Sequence, residues 1–104
     1  MGLIRACSYI ASIKTPAAPD SYSAILVTFQ QDGDNLISKT LEDLECDETY
    51  VHVKLTQEET ALFTAAVPAS MQIRCYASEY EAPGSKVWYL DVYPALDDQI
   101  LGGE

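Results

Sequence analysis

A chain of 104 residues that is 48% hydrophobic is long enough for one domain and too apolar to stay disordered. Sixteen acidic against six basic residues give a formal net charge of -10. A field of that sign repels phosphate backbones and anionic lipid, which argues against nucleic-acid and membrane partners. Folding at this length buries roughly 60–70% of the extended chain's surface, so one core forms without needing disulfides or a metal.

The first segment, Met1–Ile13, has no continuous apolar run and no cleavage site, and is not expected to be a secretory leader. Arg5–Ile13 alternates loosely and reads as a first strand. Two prolines make Thr15–Asp20 a loop. Ala24–Phe29 is the strongest strand signal, with Ile25, Val27 and Phe29 on one face and Leu26, Thr28 and Gln30 on the other. A three-residue hairpin loop, Asp32–Asp34, around Gly33 would pair Phe29 with Ile37 and Ile25 with Leu41, keeping apolar opposite apolar. Leu36–Leu41 is then the return strand and Glu42–Glu48 an acidic connector.

Thr49–Leu55 alternates cleanly, Val51, Val53 and Leu55 inward, Tyr50, His52 and Lys54 outward. Thr56 followed by Glu59 matches a capping box. The short helical crossover covers about 57–64, and its Leu62 and Phe63 are expected to close one end of the core. Pro68 stops it. Ala69–Glu79 is a strand around Met71, Ile73 and Cys75. Pro83-Gly84 reads as a type II turn, and Lys86–Tyr93 as the last strand, with Trp88, Leu90 and Val92 sharing a face. Ala95–Ile100 is a candidate helical turn inside a flexible C-terminal tail, residues 95–104. The expected fold is thus mainly β: an antiparallel Ig-like β-sandwich of about six or seven strands over residues 1–94, with one short helical crossover. A small open barrel is the alternative. The antibody-type order of Cys, Trp and Cys is absent, because Trp88 follows all three cysteines.

Few residues invite chemistry. Cys7, Cys46 and Cys75 form no CxxC pair, so zinc ribbons and thioredoxin-like sites are excluded. They read as reduced thiols of a cytoplasmic protein, or of one carried in a virion. Cys7 and Cys75 are expected to pack as small hydrophobes, and acidic surroundings disfavour a Cys46 thiolate. A Ser-His-Asp site would have to use His52, the only histidine, which reads instead as a cross-strand surface residue. Asp32–Asn35 lacks EF-hand spacing, and no glycine loop would cradle phosphate. Neither a cofactor, a metal nor an enzymatic activity is expected. Tyr76, Tyr80, Trp88, Tyr89 and Tyr93 gather near the last hairpin and are the candidate contact surface.

The run Val27-Thr28-Phe29-Gln30-Gln31-Asp32-Gly33, then Lys39-Thr40-Leu41-Glu42-Asp43, then Val51 through Phe63, then Met71-Gln72-Ile73-Arg74, resembles small proteins encoded by phages and prophages of Gram-positive gut bacteria (Firmicutes). The likeness spans residues 25–75 and departs in the proline-bearing N-terminal loop and the Tyr-rich last hairpin. It implies a structural or assembly protein of a virion, working through a protein partner or self-assembly, and carries over no functional residue. Two other readings are a carbohydrate- or ligand-binding module that uses the aromatic hairpin, and an acidic decoy that inhibits a nucleic-acid enzyme.

Overall fold

The structure, a computed structural model, describes residues 2–97 and 99–102. In chain order its elements are β1 (Gly2–Ile4), β2 (Tyr9–Lys14), β3 (Ala24–Gln31), β4 (Asp34–Thr40), β5 (Glu45–Cys46), β6 (Tyr50–Leu55), α1 (Gln57–Thr60), β7 (Ala69–Tyr76) and β8 (Trp88–Tyr93). Single 3-10 turns lie at Pro19–Ser21 and Leu41–Asp43. The strands form two sheets, β1-β8-β7-β3-β4 and β2-β6-β5. This is the expected Ig-like sandwich. The alternation read from the sequence fills its interior: Val27, Phe29, Met71 and Leu90 from one sheet meet Val51, Val53 and Leu55 from the other. α1 follows β6 and precedes β7, so it is the crossover between the sheets.

Several local expectations are corrected. The first strand is two strands in different sheets: β1 lies parallel to β8, while β2 lies antiparallel to β6. The fold is therefore not purely antiparallel. Residues 5–8 between them turn through Ala6, whose φ is 61°. That turn leaves Cys7 exposed rather than packed. The hairpin loop has two residues, Asp32 and Gly33, both at positive φ, with Gln31 facing Asp34. A bulge then restores the expected Phe29–Ile37 pair, so both readings share one register along the core.

The turn between β7 and β8 is not at Pro83-Gly84, where Gly84 is not in the positive-φ set. It closes at Ser78 and Glu81, which exchange backbone hydrogen bonds across Glu79 and Tyr80. Pro83 has no N–H, so the return chain pairs irregularly, through Cys75 N to Pro83 O and Ser85 N to Ile73 O, before β8 begins at Trp88. The acidic connector holds a short strand, β5, and Ala95–Asp97 and Gln99–Ile100 are not helical. In the 95–102 segment, Gln57 exchanges two hydrogen bonds with the main chain of Leu101.

α1 is a single turn, shorter than expected, and polar contacts hold it. The capping box is present: Thr56 Oγ1 accepts from Glu59 N at 3.2 Å, and Glu59 Oε1 accepts from Thr56 N at 2.9 Å. The other Glu59 oxygen meets Lys39 Nζ of β4 at 2.6 Å. Burial pushes the Glu59 carboxyl up, but Lys39 and the Thr56 amide outweigh it and hold its pKa below the ordinary value. Phe63 fills the end of the core, edge-on to Phe29 with ring centroids 6.1 Å apart, whereas Leu62 turns outward.

Three side chains fasten this crossover to the sheets. Arg5 donates from Nε to Phe63 O at 2.7 Å and from Nη2 to Ala61 O at 3.1 Å. Thr60 Oγ1, fully buried, donates to Cys7 O at 2.8 Å. Buried Gln31 donates to Thr64 O and Val67 O and accepts from Thr64 N at 2.7 Å. Those carbonyls lie past the end of the helix and would otherwise lack partners.

Gln31→Ala strands these groups inside the protein and is expected to cost about 1–3 kcal/mol. Thr56→Ala removes an exposed cap and is expected to cost about 1 kcal/mol. Urea unfolding checks both: each midpoint should fall in that order at unchanged m.

Candidate contact surface

The candidate aromatics divide between locations. Tyr89 and Tyr93 of β8 and Tyr76 of β7 stand on the outer face of the five-stranded sheet, at 70%, 52% and 48% exposure. Register explains this: Tyr89 faces Ser70, which alternates outward with Gln72, Arg74 and Tyr76. Tyr80 sits at the tip of the β7–β8 turn, 94% exposed. Trp88 points the other way. It is half-buried against the core and, with Met71, borders a groove of about 550 Å³ beside β2. The five residues therefore do not make one patch.

Sequence reading missed what the outer face has in common. Its outward positions are Gly2 and Ile4, Tyr89, Asp91 and Tyr93, every second residue from Ser70 to Tyr76 and from Ala24 to Gln30, and Asn35, Ser38 and Thr40. Asp91 and Arg74 are the only charged residues among them. In a chain of net charge -10 this face is close to neutral. Most of the described acids lie in turns and connectors instead, among them Asp32, Glu42, Asp43, Asp47, Glu48, Glu79 and Glu81. At one end of the face Ile4 and Tyr93 pair, and the Tyr93 ring covers Gly2, where a Cβ would come within 2.7 Å of it. At the other end Leu26, Arg74 and Tyr76 border a hollow of about 590 Å³.

The opposite sheet carries a polar relay. His52 Nδ1 lies 2.7 Å from Ser12 Oγ, and His52 Nε2 lies 2.9 Å from Asp47 Oδ2. Tyr50 stacks on the imidazole at 6.4 Å. Ser12 and His52 are directly cross-strand, as the pairing of β2 with β6 requires. The three residue types are those of an acyl-transfer site. Ser12 and Asp47 border different hollows, and His52 lines neither of these two. The relay joins β2 and β6 to the turn that follows β5. All three cysteines are free, and only Cys75 is buried. Burial, then the neighbouring Asp47, raises the pKa of Cys46, which leaves it a poor nucleophile. Among the described residues no cluster of His, Cys, Asp and Glu gathers to hold a metal, and no helix is long and apolar enough to cross a membrane.

No family model matches the sequence, and no curated protein matches it either. Among solved structures the chain is similar to the Ig-like domain of mouse leukocyte-associated immunoglobulin-like receptor 1, seen as a strand-swapped dimer. The TM-score is 0.53 at 13% identity, covering 88% of this chain and 85% of that one. The extracellular domain of the same receptor, also a strand-swapped dimer, gives 0.51 at 13% identity over 86% and 83%. This likeness is one of fold. Antibody-type domains join their sheets with a disulfide packed on a Trp; here Cys75 enters the core as a free thiol and Trp88 lies on the last strand.

Asp47 makes the relay testable. Backbone N–H groups of Tyr50 and Thr49, then His52, hold its carboxyl down at about 2, against an ordinary 3.8. A depressed folded-state pKa gives stability that is full above the unfolded value and is lost as pH falls through the folded one. Stability should therefore drop between about pH 4 and pH 2. In Asp47→Asn that part of the pH profile of the urea midpoint should flatten.

Proposed function

We propose that this domain is a non-enzymatic protein-contact module of a phage or prophage, a component of the virion or of its assembly. The near-neutral outer face of the five-stranded sheet is the observation that carries the reading. Interface centres are depleted in charge and enriched in Tyr and Arg, and Tyr supplies large contact area at low entropic cost. Here Tyr76, Tyr89, Tyr93 and Arg74 stand on such a face while the acids sit around it. The phage setting is supported by the resemblance over residues 25–75. Assembly at sheet edges is supported by the mouse receptor domain, a similar fold that forms a strand-swapped dimer.

The decisive measurement is mass spectrometry of particles released by the host, in which this chain should appear. Its absence from purified particles, together with a monomer at every salt concentration, would refute the virion reading. Tyr89→Lys places a charge on the neutral face. It should weaken partner capture by about thirtyfold or more, the scale of a lost interface anchor. Chemical unfolding should change by no more than about 0.5 kcal/mol, since the position is exposed. Equal capture by the variant would remove this face from the contact.

A further inference from the structure

We propose that β1 exchanges between two copies of this chain, each β1 seating beside β8 of the other, with Ala6 as the hinge. This deepens the edge-assembly reading and rests on it for its purpose, though not for its mechanics.

The mechanics begin at the connector. Cys7 N donates to Ile4 O at 3.2 Å, which closes a tight turn with Arg5 and Ala6 at its centre. Ala6 takes φ 61° there. Positive φ at the second central position of such a turn belongs to glycine, because a Cβ crowds the following carbonyl. Alanine at that place biases the chain against the closed turn by about tenfold. Loop mobility cannot dissipate the strain, since Ala6 is buried and both neighbours are clamped. On one side Arg5 N donates to Tyr93 O at 3.0 Å and the Arg5 side chain holds Phe63 and Ala61. On the other, Cys7 O accepts from Thr60.

Exchange removes the strain at little cost. Leu3 buried in the core, Gly2 under the Tyr93 ring, and every Arg5 contact would re-form on the second copy's equivalent groups. Cys7 would keep its bond to its own Thr60. The Cys7–Ile4 hydrogen bond is given up, while φ at Ala6 becomes free to extend. Two connectors then run past each other at the two-fold axis and bring the two exposed Cys7 thiols together. A charge of -10 on each copy opposes the encounter, so salt should favour it.

The test uses the full chain in sedimentation equilibrium across concentration and salt, alongside Ala6→Gly, Cys7→Ser and Cys46→Ser. The wild type should show a dimer that grows with salt. Ala6→Gly relieves the closed turn and should lower the dimerisation constant by about tenfold for each hinge. Mild oxidation should trap a covalent dimer that Cys7→Ser abolishes and Cys46→Ser retains. A dimer whose constant is unchanged by Ala6→Gly, or one trapped through Cys46 and not Cys7, overturns the exchange and leaves the contact-module reading standing. A strict monomer at every concentration and salt also overturns it, and that reading is then decided by Tyr89→Lys and the particle measurement. Circular dichroism and the urea midpoint establish that each variant is folded.

Discussion

Apolar packing, not a disulfide, is the main bond between the two sheets. With all three thiols free, no covalent bond crosses the interior. Cohesion comes from two alternating faces, β3 and β7 on one side and β2 and β6 on the other, that meet at Val27, Phe29, Val51, Val53 and Met71. Such a core tolerates few gaps, because each missing methylene is felt as lost transfer energy and as cavity. Phe63 is buried against Phe29 at one end of the core, and it belongs to a connection rather than to a strand. Its place therefore depends on the clamps that hold that connection: Arg5, Thr60 and Gln31. Buried polar groups that are fully satisfied make an otherwise soft end of the sandwich specific.

The same economy separates charge from contact. The longer strands spend their inward positions on the core, leaving outward positions and turns for the described acids. On the five-stranded sheet most outward positions are Ser, Thr, Gln, Tyr or apolar, Asp91 being the acid among them. The three-stranded sheet differs: Lys54 meets Glu45 at 3.0 Å and His52 meets Asp47, so its outer face is knitted to itself. One face is thus self-satisfied and the other presents neutral area. That asymmetry is the physical ground for the proposed contact surface.

How much of this was legible follows the range of the interactions. Val51, Val53 and Leu55 fell on one face because a period of two is local. The Thr56–Glu59 box could be read because its partners are three residues apart. The hairpin register was legible through Phe29 and Ile37, although the bulge that produces it was not. What escaped depends on distant partners. Nothing near Arg5 announces that its guanidinium caps carbonyls at 61 and 63. Nothing within residues 5–13 requires the chain to change sheets, since that switch is decided by β8, more than eighty residues later. Pro83-Gly84 has the composition of a turn but lies beside β7, displaced by the tighter turn at Ser78–Glu81. The aromatic cluster likewise looked continuous in sequence, and strand alternation set Trp88 and Tyr89 on opposite sides.

The clamps also bear on the order of folding. Gln31 reaches residues thirty-three and thirty-six positions away, and Arg5 reaches fifty-six and fifty-eight. Closing loops of that span is entropically costly before the sheets exist to define the geometry. The pairing of β3 with β7 closes loops as long as those of Gln31, so the clamps are expected to form with that pairing or after it, once the sheet defines their geometry. Interactions that form late leave the folding rate untouched and act on the rate of opening. The buried amide of Gln31 is thus expected to act as a latch, bearing more on how long the native sandwich persists than on how quickly the chain finds it.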